Sequence, residues 1–343
     1  MRKLQMILSL AVATLLAGAA SLPAQGNWRV SNTFHIGGEG SWDYVAVDPA
    51  THRVFVTRST HTQAIDGATG KVLGDIAGQI HSHGTALVLA ANRGFITDGG
   101  GGGAIDIFDL TTYAVLGKIA TMPDSDGIIY DSAMNLVLAV SGDGASLMTL
   151  KPVIDPVNGK IDPPIDLGGA PEFFAADEDK AYINLADKNV VAVVDLKARK
   201  VIARWPVAPG GRPVGMAIDN KRHLLFIGCR NPQKLIVMTT MDGKVVANLP
   251  IGAGVDATGT DGVHAFASCG DGTLVVAGER DGKWQLEQVV KTPAGARTMG
   301  LDSSTHAIYL PTAEFEAPDL AAAPKRPRAK PDTFMIVKVA QAE

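Results

Sequence analysis

Val45-Ala-Val-Asp-Pro-Ala-Thr-His-Arg-Val-Phe-Val-Thr-Arg58 carries the pattern that organises this chain, because it recurs. A short apolar strand runs into an Asp, a polar turn follows, and a second strand ends in aromatic, aliphatic and small residues. The pattern returns at 128–140, 173–185, 215–229, 258–269 and 299–311, and at 87–97 with Ala90 in place of the Asp. The anchors lie at 48, 90, 131, 177, 219, 261 and 302, spaced by 42, 41, 46, 42, 42 and 41 residues. A fixed period near forty over the whole chain predicts one supersecondary unit repeated in a single body.

Each unit reads as four strands. In the first they are Val45–Asp48, Val54–Thr57, Thr62–Asp66 and Lys71–Ile76, with Asp66-Gly67 and Thr69-Gly70 turning the chain between the last two. The third unit carries an insertion, Lys151–Pro164, with four prolines, which reads as an extended connection. The seventh loses register after Pro311, passes through the Pro-, Ala- and charge-rich stretch 314–331, expected to be a mobile loop, and ends on a third strand, Thr333–Val339. Its fourth strand is missing, and the unpartnered alternating segment Trp28–Ile36 is the candidate to supply it. The expected fold is therefore all-β: a seven-bladed β-propeller of four-stranded antiparallel blades, closed by the N-terminal strand pairing into the last blade, which removes the exposed strand edges that an open array would leave.

Residues 1–24 read as an export signal: Arg2 and Lys3, an apolar stretch Ile7–Leu16, then small residues to Ala24. The apolar run is too short to span a bilayer. A soluble periplasmic or secreted protein is expected, with residues 25–343 forming one domain. Net charge is −4, and losing Arg2 and Lys3 leaves 29 basic against 35 acidic residues. That balance, with no basic–aromatic interleaving, argues against a nucleic-acid partner. Cys229 and Cys269 occupy equivalent places in adjacent repeats and read as buried thiols; an oxidising compartment leaves a bridge open.

These repeats resemble those of the YVTN β-propeller, or YncE-like, family. The Tyr-Val-Thr-Asn signature stands here as Phe55-Val-Thr-Arg58, Phe95-Ile-Thr-Asp98 and Tyr182-Ile-Asn-Leu185, and the apolar-Asp…Gly-Lys-Val signature as Ile65-Asp-Gly-Ala-Thr-Gly-Lys-Val72 and Val194-Asp-Leu-Lys-Ala-Arg-Lys-Val201. The resemblance covers the mature chain. It implies the fold and an extracytoplasmic setting, and it carries no shared chemistry. It also brings an association with nucleic acid, against which the charge balance speaks.

In such a fold the first strands line a central channel, and the loops leading into them share one face with the loops between second and third strands. The turns between first and second strands fall on the opposite, lower face, which takes His52, His223, His264 and His306 as turn residues. The leading loops bring Asp43, His81, His83, Asp126, Glu172, Arg212, Asp256 and Arg297 to the upper mouth; 43, 126, 172, 256 and 297 each lie five residues before an anchor. Convergent carboxylates and imidazoles suit a divalent metal or a water-filled polar pore. His81 and His83 with Asp43 or Asp126 form the candidate metal set, while Arg212 and Arg297 suit the carboxylate or phosphate of a small ligand.

Loops between second and third strands add Arg58, Asp98, Asp187, Arg230 and Asp271 to this face. Gly99–Gly103 lacks the Lys-Ser/Thr and following helix of a phosphate loop and reads as a hairpin loop. Lys325-Arg-Pro-Arg-Ala-Lys330 is a basic linker or a flap for an acidic partner. Motifs of zinc proteases, serine hydrolases and covalent haem are absent from the sequence. The expected function is non-enzymatic: a monomeric binding or scaffold protein that takes a small ligand or an extracytoplasmic protein at the upper mouth. The alternative is a metal-assisted hydrolase or lactonase-like enzyme, with Glu172 as general base and Arg297 polarising the substrate.

Overall fold

The computed structural model describes residues 27–317 and 327–342. The expected export signal lies outside these residues, as do Lys325 and Arg326 of the basic stretch. Among the described residues the chain is all-β, with a single 3₁₀ turn, Leu89–Ala91, and no helix long and apolar enough to cross a membrane.

Antiparallel meanders follow one another along the chain. Pro171–Asp177, Lys180–Leu185, Val190–Asp195 and Lys200–Pro206 form one four-stranded sheet; Pro213–Asp219 through Val245–Pro250 form the next, and Val255–Thr260 through Lys283–Lys291 another. Burial explains the composition of these strands. Second and third strands lie between neighbouring sheets, so both faces are apolar: Val54, Phe55 and Val56 are all inaccessible. The outermost strand has one wet face, and Lys200–Pro206 alternates half-buried with exposed residues.

The first two repeats depart from the expected plan. Their fourth and first strands fuse into one seventeen-residue strand, Val72–Val88, so that eight expected strands become one seven-stranded sheet. Bulges at Ala64/Ile65 and Ser82/Thr85 let that strand turn from one meander to the next.

The anchor Asp does the same work in most repeats. Asp48, Asp131 and Asp302 accept backbone N–H groups two residues on, from Ala50, Ala133 and Ser304. One residue of each such turn then enters the left-handed region: His52, Asn135, Glu178, His223 and His306 all have φ between 52° and 60°. Ala90 cannot accept, and that repeat instead forms the 3₁₀ turn capped by Asn92, whose N–H reaches the Leu89 carbonyl at 3.1 Å.

Trp28–His35 is hydrogen-bonded antiparallel to Met335–Gln341, on the outer side of Ile308–Thr312 and Gly300–Leu301. Gln288 of the preceding sheet accepts from the Trp28 N–H at 3.0 Å and donates to its carbonyl at 2.7 Å. The Trp28 ring meets Phe266 edge-on at 4.8 Å. Apolar cores lie between successive meanders, and one of them joins Phe34, Tyr309 and Ile336 of this last sheet to Val54, Val56 and Ile65 of the first. Each such fully buried side chain stabilises the fold by about 2 kcal/mol. The stretch expected to be a loose loop has a paired base: Phe315 bridges Ala329, and Lys330 N–H reaches the Glu314 carbonyl at 2.8 Å.

Candidate functional site

Hydroxyls at the ends of second strands set the backbone of the mouth. Thr57 Oγ1 donates to the His83 carbonyl (2.8 Å), Thr97 Oγ1 to that of Asp126 (2.5 Å), and Ser268 Oγ to that of Arg297 (2.5 Å). Thr298 Oγ1 donates to the Asp43 carbonyl at 2.8 Å, linking the last repeat to the first. Thr57 and Thr97 are thus pegs that hold the leading loop of the next repeat, and with it the site residue that loop presents.

Two polar clusters result. In the first, Asp43, His83 and Asp126 place one ligand atom each within 4.8 Å of the others. His83 Nδ1 lies 2.8 Å from Asp43 Oδ2 and 3.4 Å from Asp126 Oδ1. Burial alone disfavours the imidazolium, but the Asp43 hydrogen bond and the Asp126 charge outweigh it and hold the His83 pKa above its ordinary value. Asp126 is pushed up by burial and by Asp43, with His83 opposing. The trio therefore sets one imidazole against two carboxyl groups whose like charges oppose each other. His83 Nε2 is buried without a hydrogen-bond partner among the described residues. Gly99 makes room for it, since a Cβ there would sit 2.9 Å from that nitrogen. The glycine run thus begins as the seat of an imidazole. His81 touches the His83 ring edge-on at 4.4 Å, but it is exposed and stands outside the trio.

In the second cluster Asp256 is shared by two arginines: Arg297 Nε lies 2.7 Å from Oδ2, and Arg230 Nη2 bonds Oδ1. Arg230 Nε also donates to the Val255 carbonyl at 2.8 Å. Glu172 is half-buried beside this group. Burial raises its pKa, with Asp256 and Asp43 adding to the rise and Arg230 and Arg212 opposing it. Arg212 is exposed, and its backbone N–H is held by Asn189 Oδ1 at 2.6 Å.

Tyr44 stands between the clusters. Its ring meets Phe173 at 4.9 Å, and those two residues come from the first and fourth repeats. Burial, then the charges of Asp126, Asp43, Asp256 and Glu172, keeps its hydroxyl protonated far above its ordinary range. Tyr44 and Phe173 thus form an aromatic contact among four carboxyl groups of the mouth. Neither was singled out from the sequence. The available signal was that each is an aromatic next to a mouth residue, Asp43 or Glu172.

Several other candidates brace loops. Asp98 accepts the N–H groups of Ile80 and His81, Asp187 that of Ala170, and Asp271 that of Ala253. Arg58 is completely buried, and its guanidinium donates to the carbonyls of Gly37, Gly38, Glu39, Gly40 and Ser41 while stacking on Phe334 at 3.6 Å. Cys229 and Cys269 are unbridged and buried, and burial pushes both thiols up to about 12. On the lower face His52 pairs with Asp302 at 2.7 Å, and His264 and His306 both pair with Asp261.

Beside the second cluster opens a pocket of about 890 Å³. Trp42, Phe315 and Phe334 form its apolar walls, and Arg230, Arg297 and Arg328 line it as well.

No protein-family model matches this chain, and no curated protein matches it. Solved structures do. Hydrazine synthase of Kuenenia stuttgartiensis is similar at 11% identity with a TM-score of 0.67, over 80% of this chain and 94% of that one. The WD40 repeats of RRP9 are similar at 12% identity and a TM-score of 0.73, over 91% of this chain and 97% of theirs. U3-55K is similar at 12% identity and a TM-score of 0.71, over 91% and 98%. At such identities the likeness concerns architecture alone, and it establishes that the chain folds as a β-propeller.

Proposed function

We propose that the protein is an exported, monomeric, seven-bladed β-propeller of YVTN type, closed by its N-terminal strand, which binds a small ligand at its upper mouth. The pairing of Trp28–His35 with Met335–Gln341 and the core shared by the last and first sheets support closure. The Thr57 and Thr97 pegs support the family reading. One observation carries the functional reading: charged side chains from separate repeats converge around Tyr44, whose ring meets Phe173 of the fourth repeat. Convergent polar groups beside aromatic side chains are the make-up of a small-molecule site.

Hydrogen exchange of the leading loops during a thermal-shift ligand screen tests this. A true ligand raises Tm and protects 41–44, 253–256 and 295–298. Ligands that protect only the lower-face turns overturn the reading. N-terminal sequencing of secreted protein tests export, with Gln25 expected first.

A metal-assisted hydrolase is the second reading, favoured by the compact Asp43–His83–Asp126 set. One imidazole and two carboxylates suit a divalent ion, which would replace the proton that His83 Nδ1 now shares with the carboxylates. Glu172 lies toward the arginine cluster, where a substrate carbonyl would meet Arg297. Elemental analysis of chelator-free protein beside His83→Ala decides: a stoichiometric metal lost in the variant supports this reading, and a metal-free wild type sinks it.

A further inference from the structure

We infer that the pocket between Trp42 and the Phe315–Ala329 bridge is a site for a small aromatic acid, its ring on the aromatic wall and its carboxylate toward Arg297 and Arg328. This deepens the binding reading and rests on it.

Shape comes first. At about 890 Å³ the pocket falls within the range of about 300–1,000 Å³ typical of small-molecule sites. Trp42 lies 5.6 Å from Phe334 and 6.2 Å from Phe315, so three rings form one wall. Phe334 is locked from behind by the buried Arg58 guanidinium. A wall held in this way loses little side-chain freedom when a flat ligand stacks on it.

Bare backbone continues the lining beside Phe315. Gly270 N–H bonds the Gly254 carbonyl at 3.0 Å, and Gly295 N–H bonds the Gly270 carbonyl at 2.8 Å, which lays three glycines along the pocket. Gly270 lies outside the left-handed region, and a Cβ there would meet nothing closer than 3.4 Å. Neither backbone strain nor packing requires glycine at this position. What the missing side chain preserves is the space.

Charge completes the argument. Arg230, Arg297, Arg328 and Lys330 line the pocket against Glu39 and Asp332. Lys330 is paired with Glu314 at 3.0 Å, and Asp332 Oδ1 is taken up by the Gly38 N–H at 2.7 Å. Arg230 and Arg297 share the single carboxylate of Asp256. Acidic and basic groups balance in number here; what suits a planar carboxylate is the paired N–H donors of the guanidiniums, and that of Arg328 has no ion-pair partner among the described residues.

Calorimetric titration with 2-naphthoate and its uncharged twin 2-naphthamide tests the assignment. The wild type is expected to bind the acid about tenfold or more tighter than the amide. Arg328→Gln, an exposed position, should narrow that ratio. Gly270→Leu should weaken both compounds by about tenfold or more while leaving Tm near the wild-type value. Equal affinity for acid and amide, no binding of either, or full affinity in Gly270→Leu would each overturn the inference. A neutral or cationic ligand that protected the leading loops in hydrogen exchange would defeat it and leave the binding reading standing. No ligand of any class protecting those loops would defeat both.

Discussion

Histidine meets aspartate on both faces of this propeller, and the outcomes are opposite. On the lower face His52 pairs with Asp302, which also accepts the Ser304 N–H at 2.9 Å and the Ser304 hydroxyl at 2.6 Å. Burial works against the Asp302 carboxylate, yet hydrogen bonds from Ser304, His52 and Thr305 hold its pKa down at about 2. On the upper face His83 faces two carboxylates at once. Asp126 lacks a comparable set of backbone donors, and burial drives it up. Donors supplied by the local turn make a carboxylate structural. Like charges gathered from distant repeats with too few donors leave one poised to exchange a proton or to meet a ligand.

The largest expected effect comes from the buried residue that braces the 37–41 segment beside the upper face. Arg58→Met should destabilise the protein by on the order of 3 kcal/mol in urea unfolding, because five carbonyls lose a charged donor. Asp302→Ala should cost about 2 kcal/mol by the same measurement, whereas Asp126→Asn should be neutral or mildly stabilising. Reversal of that order would break the comparison.

Acid titration sharpens it. The Asp302 pKa is depressed in the fold, so its contribution is complete above the unfolded value of 3.8 and is lost as pH falls toward about 2. The loss should approach about 2 kcal/mol, and Asp302→Asn should flatten the acid limb of Tm against pH. His83 has the opposite sign. Its pKa is raised, so its stabilisation is complete below 6.5 and disappears as pH rises past the folded-state value. An NMR titration of the His83 ring should show an alkaline midpoint, and His83→Gln should remove on the order of 1 kcal/mol of pH-dependent stability. The smallest effect belongs to His52→Ala, whose ring is 47% exposed and should contribute less than about 1 kcal/mol.

How much was legible in advance differs between fold and site. The repeats around Asp48, Asp131 and Asp302 announced their turns, because an Asp accepting N–H groups two residues on is a local device. Three of the four lower-face histidines were placed for the same reason: positions 52, 223 and 306 are left-handed turn residues, whereas His264, also expected in a turn, begins the strand His264–Cys269. The fused strand Val72–Val88 was not foreseen, since its continuity depends on bulges set by neighbouring strands. At the mouth, equal spacing before the anchors brought forward Asp43, Asp126, Glu172, Asp256 and Arg297. It did not separate them into two clusters or remove His81 from the compact trio. Position in the loops between second and third strands also cast Asp98, Asp187 and Asp271 as mouth groups, where the fold uses them to brace backbone.

By itself the sequence determined the periodic β architecture and the side of each repeat on which a residue falls, because strand alternation and turn chemistry act over a few neighbouring residues. Only the tertiary structure decided which charges meet, that Tyr44 meets Phe173, and that a pocket opens beside Arg297. Those facts depend on distances between residues one or more repeats apart, which are set by how the sheets pack around their shared cores.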